Sequence, residues 1–392
     1  MTDKIDANLI RGVNVLNANK KVECIIYAQN FLLAKRFMHK NFNGEYESFP
    51  FVKAFKINLN YSNILKLARL NIVKYVSSNA KVSTLINVSR SILNVNNVDN
   101  KNANFSVVVI DTGLYPHLDF MVPKNKVLLF KDLINKKSTL YDDNGHGTFV
   151  TGILCGYGTV SGRKYIGIDK NTNLIILKAL DKNGETTAST ILNAMQWVYD
   201  NKQKYNIKIV NMSFGSLPIG KNDPLILGAE VLWDSGVVVV CACGNSGPQA
   251  ETVRSPGAST KIITVGALND NRKEVVINDI TTFKYDTSNF EVADFSSRGP
   301  IYNNYKPDLL ASGVNITGAC NFKLSNEFYS SMSGTSVATP MITGVCSLIL
   351  KQNPNFTPNQ IKKVLLENCT SITGDRNSEG FGWFNGKLFD KK

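Results

Sequence analysis

The chain of 392 residues is long enough for two domains, or for one large domain with a smaller one attached. Hydrophobic residues make up 43% of it and charged residues 19%, which is typical of a folded globular protein and excludes a disordered or fibrous one. The net charge is +13, but the basic residues between Ser48 and Val98 are spaced singly among apolar ones, which favours a solvated basic face over a nucleic-acid site.

Neither membrane insertion nor export is predicted. No apolar run reaches ~18 residues, and the first residues lack the basic start, apolar core and cleavage site of a secretory signal. The seven cysteines are scattered and mostly lie in apolar runs, as reduced buried thiols do; a metal site is the weaker alternative. We therefore predict a cytoplasmic protein that binds no cofactor, nucleic acid or membrane, although export by another route stays open.

The N-terminal part predicts a small α/β domain. Its apolar pattern predicts strand, helix, strand, helix and strand at residues 22–27, 30–42, 51–57, 61–70 and 72–76. A polar segment rich in asparagine and serine follows from Ser77 to Asn104, as expected of a linker or surface segment. We place the domains at residues 1–78 and 105–392, with a linker or processing segment at 79–104.

Beyond the linker, apolar strands alternate with helices. Runs rich in β-branched residues predict buried strands at 106–111, 174–180, 207–214, 236–243 and 261–268, with helices between them such as 189–201 and 224–235. Strands that are buried on both faces and joined by helices predict a parallel sheet with helices on both faces. The carboxyl ends of such strands gather the functional residues of the fold.

Polar residues and glycines stand at three of these strand ends and at two predicted helix starts. The five segments are DTG at 111–113, SFG at 213–215, GNSGP at 244–248, NGHGT at 144–148 and GTS at 334–336. They are far apart in sequence, yet the predicted sheet would bring them to one edge.

The residue types at this edge suit nucleophilic catalysis by a serine. A serine hydroxyl needs a base, and of the three histidines only His146 lies between two glycines at a helix start. Asp111 at a strand end can fix the tautomer of that histidine. The Ser336 N–H and the Asn245 amide can donate to an oxyanion. Taken singly, Asp111 is equally well explained as a loop cap, while Asn245 and Ser336 are better explained as a turn residue and a helix cap. Independent caps would not, however, reproduce one catalytic order.

The motifs Asp-Thr-Gly, His-Gly-Thr, Gly-Asn-Ser-Gly-Pro and Gly-Thr-Ser-x-Ala-Thr-Pro, in that order, resemble those of the subtilisin-like serine proteases over about residues 100–390. The resemblance implies a subtilisin-like α/β fold, with a mostly parallel central sheet and helices on both faces. It implies a serine endopeptidase in which Asp111 orients His146, His146 acts as base and then acid, Ser336 is the nucleophile and Asn245 donates to the oxyanion. Pro340 is predicted to start the helix that follows the nucleophile.

The resemblance also implies a set of substrate-binding residues. These are Ser213, Phe214 and Gly215, beside which a peptide would bind as an added strand, and Ala242, Cys243, Gly244 and Arg254. Arg254 takes the place of a glycine that many relatives have at the floor of the primary specificity pocket. It is predicted to shorten the pocket or to pair with an acidic substrate side chain, unless it turns to solvent.

Segment 152–168 lacks the calcium-binding loop of the secreted family members, so the resemblance supports no metal site, although calcium stays possible. The N-terminal domain resembles the ferredoxin-like propeptide that chaperones and inhibits these proteases. This implies an intramolecular inhibitor and self-cleavage between residues 77 and 92. Besides this domain, the implied partners are protein or peptide substrates. The alternative from another class is a regulatory pseudoprotease that binds peptides without cleaving them.

Overall fold

The computed structural model describes residues 4–5, 21–50, 53–78, 88–95, 98, 103–220, 222–277 and 280–390. The chain divides into two compact units, residues 1–83 with 276–280, and residues 84–275 with 281–392. The division after residue 83 falls within the segment 79–104 that was predicted as a linker. No helix of the described residues is long and apolar enough to cross a lipid bilayer.

The first unit has the element order βαββαβ. Its elements are β1 (Val22–Ala28), α1 (Phe31–Phe42), β2 (Glu47–Phe49), β3 (Ala54–Leu59), α2 (Tyr61–Ala68) and β4 (Val73–Ser78). The strands form one sheet in the order β2-β3-β1-β4, in which every paired neighbour is antiparallel. This order of elements is that of the ferredoxin-like motif.

Strand β2 is absent from the predicted elements of this unit. It has only three residues, too few to show alternation, and it pairs with β3 as an edge strand. The predicted strand at 51–57 is found at Ala54–Leu59, and residues 51–52 lie outside the described residues. Asn30, predicted as the first residue of α1, is instead its N-cap, because its side chain accepts hydrogen bonds from the N–H groups of Leu32 and Leu33.

Within the described residues, the rest of the chain contains fourteen further strands, nine further α-helices and two short 3₁₀ helices at Thr287–Asn289 and Lys387–Phe389. The strands are β5 (Ser106–Asp111), β6 (Val127–Asp132), β7 (Asn173–Lys178), β8 (Ile207–Met212), β9 (Val238–Ala242), β10 (Ile263–Asn269), β11 (Lys273–Ile277), β12 (Ile280–Lys284), β13 (Glu291–Val292), β14 (Leu309–Ser312), β15 (Ile316–Ala319), β16 (Tyr329–Met332), β17 (Cys369–Thr370) and β18 (Trp383–Phe384). The helices are α3 (Val88–Ile92), α4 (Leu118–Met121), α5 (His146–Cys155), α6 (Ala188–Asn201), α7 (Pro224–Asp234), α8 (Phe322–Ser325), α9 (Thr335–Gln352), α10 (Pro358–Glu367) and α11 (Arg376–Glu379).

A central sheet forms the framework of the second unit. Its strand order is β17-β18-β14-β10-β9-β8-β5-β7-β6, with β13 paired to β10. The pairs from β18 to β6 along this order are parallel, and only β17 and β13 run antiparallel to their neighbours. Every residue of β5 and β9 is buried, so both faces of the sheet centre are covered. The predicted mostly parallel α/β fold is therefore confirmed.

The helices pack on this sheet in two pairs. Helices α5 and α9 pack against each other, and α9 also contacts strands β8, β9, β10 and β14. Helices α6 and α7 form a second pair, with α6 on β5 and α7 on β9. The predicted helices 189–201 and 224–235 are found as α6 and α7. Strands β6 and β14 were not predicted, because β6 is only partly buried and β14 has four residues and no β-branched one.

The prediction that Pro340 starts the helix after the nucleophile is wrong. Helix α9 begins at Thr335, and Pro340 lies inside it. The helix tolerates the proline because all residues from Val337 to Leu350 are buried, so core packing fixes its path. The hydroxyl of Thr339 donates to the carbonyl of Thr335 at 2.7 Å, which satisfies one acceptor in this first turn.

Part of the segment predicted as a polar linker is packed into the second unit. Leu93 and Val95 are fully buried in its core. The Arg90 guanidinium is also buried and donates at 2.7 Å to each of the carbonyls of Gly167 and Val95. Burial lowers the pKa of Arg90 to about 10, which is still well above neutral pH. The guanidinium therefore remains charged although it is buried. Residues 88–95 are therefore a structural part of the second unit.

Candidate active site

Asp111 and His146 meet where strand β5 ends and helix α5 begins. The Nδ1 of His146 lies 2.8 Å from Oδ1 of Asp111. The same carboxylate oxygen accepts the N–H of Thr112 at 2.7 Å. A glycine is needed at position 147, because a Cβ there would lie 2.2 Å from the carbonyl oxygen of Gly113. The local sequence thus allows the helix start to approach the strand end closely enough for the carboxylate to bond the ring.

The charges around His146 favour its protonated form. Burial of the ring lowers its pKa, but the charge of Asp111, the hydrogen bond to Asp111 and the charge of Asp142 together outweigh burial and raise the pKa above its ordinary value. Asp111 itself is fully buried, whereas the His146 side chain remains 21% exposed. A histidine in this environment can accept a proton from a neighbouring hydroxyl and hold it as an imidazolium.

Asp142 joins the two elements that carry this pair, a role that was not predicted from the sequence. Its Oδ1 accepts from the Thr112 hydroxyl at 2.9 Å and from the N–H groups of Asn144 and Gly145 at 3.1 and 2.8 Å. Its Oδ2 accepts from the N–H and hydroxyl of Thr148 at 2.9 and 2.6 Å. The only sequence signal was the Asp-x-Asn-Gly order, which is typical of a turn closed by an aspartate side chain.

Ser336 is the second residue of helix α9 and is only partly buried, unlike its neighbours Thr335 and Val337. Gly334 precedes the helix, and a Cβ there would lie 3.0 Å from the hydroxyl oxygen of Ser336 and 3.4 Å from Nδ2 of Asn245. The hydroxyl and the amide therefore border the same small space beside Gly334.

Asn245 follows strand β9, and Thr335 fixes the orientation of its amide. Oδ1 of Asn245 accepts both the N–H and the hydroxyl of Thr335, each at 2.9 Å. The Thr335 hydroxyl in turn accepts the N–H of Gly244 at 3.2 Å. Because the oxygen of the amide is engaged on this side, its NH₂ group is directed to the space beside Gly334. Thr335 thus links the two segments that carry Ser336 and Asn245.

One cleft of about 540 Å³ brings these side chains together. Its walls include His146, Asn245 and Ser336, and Asp111 lies buried behind the ring. Among the described residues no hydrogen bond joins the Ser336 hydroxyl to the imidazole; such contacts are often long in ligand-free sites and shorten when substrate binds. Leu324 of α8 also lines the cleft, and its side chain lies close to Gly145.

Two of the predicted substrate-binding residues, Ser213 and Phe214, line this cleft. The Ser213 hydroxyl accepts from Nδ2 of Asn211 at 3.0 Å, and Oδ1 of Asn211 accepts from the Thr343 hydroxyl at 2.8 Å. Helix α9 thus supports the segment after β8 through buried side chains. Gly215 is exposed next to Arg254.

Ala242 and Cys243, also predicted to bind substrate, are buried and do not line the cleft. The Cys243 thiol faces Ser296 and Ser297, 3.6 Å from the Ser296 hydroxyl and 3.4 Å from the Ser297 carbonyl. Burial raises the pKa of this thiol to about 12, so it stays protonated. Any contribution of these two residues to substrate binding would have to come from their backbone.

The Arg254 side chain is partly buried and does not extend freely into solvent. Its Nε and Nη2 donate to the hydroxyl of Ser246 at 3.2 and 2.6 Å. A Cβ on Gly244 would lie 2.4 Å from Cγ of Arg254, and one on Gly215 would lie 2.7 Å from its Cβ. The stem of Arg254 therefore fills the space that the two glycines leave open.

No group of three or more histidine, cysteine, aspartate or glutamate side chains in the described ranges is arranged to hold a metal ion. All seven cysteines are free thiols, and all but Cys369 are buried.

Comparison with known proteins identifies the family. The subtilase family model matches residues 102–383. Serine protease AprX of Bacillus subtilis strain 168 is 39% identical over 299 residues, which cover 71% of this chain and 63% of AprX. The thermostable alkaline protease of Halalkalibacterium halodurans is 28% identical over 333 residues, which cover 84% of this chain and 80% of that protein. This chain thus spans less than two thirds of the length of AprX.

A solved structure agrees with these sequence matches. Sphericase has a TM-score of 0.63 and 25% sequence identity, with 78% of this chain and 99% of that chain covered. The family model covers well over half of the chain and includes the segments that carry Asp111, His146, Asn245 and Ser336. The chain therefore belongs to the subtilase family of subtilisin-like serine proteases.

Proposed function

We propose that the protein is a serine endopeptidase that hydrolyses peptide bonds through an acyl-enzyme intermediate. The observation that carries this proposal is the 2.8 Å hydrogen bond between Asp111 and His146, with Ser336 and Asn245 on the same cleft. The relatives named above are proteases, and no observation favours a pseudoprotease that only binds peptides.

In the proposed reaction the Ser336 hydroxyl oxygen attacks the scissile carbonyl carbon while Nε2 of His146 takes the hydroxyl proton. Asp111 accepts from Nδ1–H and stabilises the imidazolium. The NH₂ group of Asn245 and the N–H of Ser336 donate to the oxyanion. The C–N bond then breaks as the imidazolium gives its proton to the leaving amine. A water molecule repeats these steps on the ester and releases the acid product.

Labelling with a fluorophosphonate probe, followed by peptide mapping, tests the proposal. We expect the probe on Ser336, and we expect Ser336→Ala to abolish both labelling and hydrolysis of a denatured protein substrate. Ser331→Ala is the matched control, since Ser331 is an exposed serine of β16 that does not line the cleft. A wild-type protein that neither reacts nor cleaves, or a Ser336→Ala variant that still does both, contradicts the proposed function.

We also propose that residues 1–78 are an inhibitory propeptide domain. Three observations support this proposal. These residues belong to a separate compact unit, the unit has the element order βαββαβ, and one relative matches the chain beyond the second unit. Residues 103–392 make up only about 74% of the 392-residue chain, so a match to the thermostable alkaline protease that covers 84% must extend into the preceding residues. The N-terminal part therefore has a counterpart in at least one related protease.

Self-cleavage is proposed between residues 79 and 87, within the predicted range 77–92. Strand β4 ends at Ser78, and the segment from Val88 to Val95 is packed into the second unit, so a cut on either side would break a folded element. Mass spectrometry of purified protein tests this. We expect the wild type to yield a product that begins between residues 80 and 87 and Ser336→Ala to stay intact; processing of Ser336→Ala in the absence of other proteases excludes self-cleavage. Protease activity should rise as the N-terminal segment is released and degraded.

A further inference from the structure

We propose that Arg254 makes this protein selective for substrates with an acidic side chain, above all glutamate, immediately before the scissile bond. The inference rests on the proposed peptidase function and specifies its substrate class.

Arg254 lies between the two segments that border the candidate nucleophile. On one side is Gly215, which continues from Ser213 and Phe214 on the wall of the cleft. On the other side is Gly244, directly before Asn245, whose amide borders the same space as the Ser336 hydroxyl. Arg254 does not itself line the cleft, but it lies directly beside both glycines. A substrate side chain that passes between these two segments, next to the scissile carbonyl, would therefore approach Arg254.

The guanidinium retains unused hydrogen-bond donors. It has five N–H groups, and Nε and Nη2 each direct one to the Ser246 hydroxyl. Three N–H groups remain, and within the described part of the chain Arg254 forms no ion pair with a carboxylate. An arginine that is partly buried and lacks a counterion favours an anion of complementary planar shape, which a carboxylate provides.

Ser246 adds a further donor to this site. Its hydroxyl accepts from Arg254, which leaves the hydroxyl proton free to donate to a carboxylate that approaches the guanidinium. Its backbone N–H donates to the Ser297 hydroxyl at 3.1 Å, which holds this residue in place.

The carboxylate of Asp223 is engaged away from Arg254. It accepts the Ser255 hydroxyl at 2.7 Å, the N–H of Leu225 at 2.9 Å and the N–H of Ile219 at 3.1 Å.

Two other outcomes follow from the same residues. If the Arg254–Ser246 contact stays closed, the stem of Arg254 shortens the pocket and small residues are preferred. If Arg254 swings out of the pocket, large apolar residues are preferred, as expected of an open pocket lined by glycines. Acidic selectivity differs from both because it depends on the charge of the substrate and not on its size.

The test uses peptides that are identical except for Glu, Gln, Asp, Ala, Leu or Phe before the scissile bond. For the wild type we expect kcat/KM to be about 10- to 100-fold higher for Glu than for Gln, as for hydrogen bonds to a charged group, and higher than for Ala, Leu and Phe. Arg254→Gly should lose this preference and gain activity on Leu and Phe, while Ser246→Ala should weaken it. Added salt should reduce the preference for Glu.

Arg163→Gly is the matched control, because it removes the same charge from an exposed residue whose φ of 72° suits glycine. It should leave the preference unchanged. Labelling of Ser336 by the fluorophosphonate probe shows whether each variant is folded. If the wild type is labelled but cleaves after Gln, Ala, Leu or Phe as fast as after Glu or faster, the acidic selectivity is wrong, whereas the proposed function is unaffected. The absence of both labelling and cleavage in the wild type instead contradicts the proposed function.

Discussion

Replacing Asp142 with asparagine tests how the histidine is positioned and charged. The asparagine oxygen can keep the three donors now on Oδ1, which are the Thr112 hydroxyl and the N–H groups of Asn144 and Gly145. Its NH₂ group, however, would face the N–H of Thr148, which now donates to Oδ2 at 2.9 Å. One buried donor without an acceptor costs about 1–3 kcal/mol of unfolding free energy. Asp142→Ala removes all five acceptor contacts, so we expect it to cost more, on the order of 3–5 kcal/mol.

The same substitution should change the pH dependence of activity. His146 must be neutral to act as a base, so kcat/KM falls as the pH drops below the pKa of His146. The charge of Asp142 contributes to the raised pKa of His146, and its removal lowers that pKa. The acid limb of the profile should therefore move to lower pH in Asp142→Asn, with reduced thermal stability.

The assay is kcat/KM from pH 5 to 9, together with denaturant unfolding. Asp143→Asn is the matched control: Asp143 pairs with Lys178 at 2.6 Å and is not among the groups that raise the pKa of His146. It should reduce stability without moving the acid limb. An acid limb that stays in place in Asp142→Asn, or moves to higher pH, refutes the assignment of Asp142.

Three further predictions concern the same cleft and the core. Asn245→Ala should lower kcat by about 10²–10³-fold, as loss of the equivalent donor does in subtilisin, a member of this family, and should lower the free energy of unfolding by about 1–3 kcal/mol because the N–H of Thr335 loses its acceptor; steady-state kinetics and denaturant unfolding would show it. Gly334→Ala should fold normally, because the φ of 162° at this position is extended backbone. Its kcat should nevertheless fall roughly 10²-fold, because the new Cβ crowds the Ser336 hydroxyl. An unchanged kcat would contradict this geometry. Thiol titration of the native protein should find Cys241 and Cys243 unreactive, because burial raises the pKa of each to about 12, and all seven thiols should react after unfolding; fewer than seven indicates a disulfide.

The sequence alone was sufficient for the family and for the central strands of the main sheet. Strands such as β5 and β9 are buried on both faces, so each appears as a continuous apolar run that needs no knowledge of its neighbours. The short motifs at the strand ends were equally informative, since Gly147 beside His146 reflects a close backbone approach that no other residue allows. With three histidines in the chain, the choice of a candidate base was narrow.

Short or edge elements were less predictable. Strands β2, β6 and β14 carry too few residues or too little burial to produce a periodic pattern, and they exist because a neighbouring strand offers hydrogen bonds. Helix α9 contains Pro340 because the surrounding core fixes its path, which local propensity opposes. Residues 88–95 lie in the segment that was predicted as a polar linker, yet Leu93 and Val95 are buried within the second unit.

Only the tertiary structure decided which side chains act on one another across the chain. Asp142 reaches Thr112 from thirty residues away, and Thr335 orients Asn245 from ninety residues away. Arg254 was recognisable from the sequence as an unusual residue, but its contact with Ser246 and its place between two glycines depend on how three loops pack together. Local sequence determines backbone preference and burial pattern, whereas contacts between distant segments depend on strand order and helix packing, which no single segment encodes.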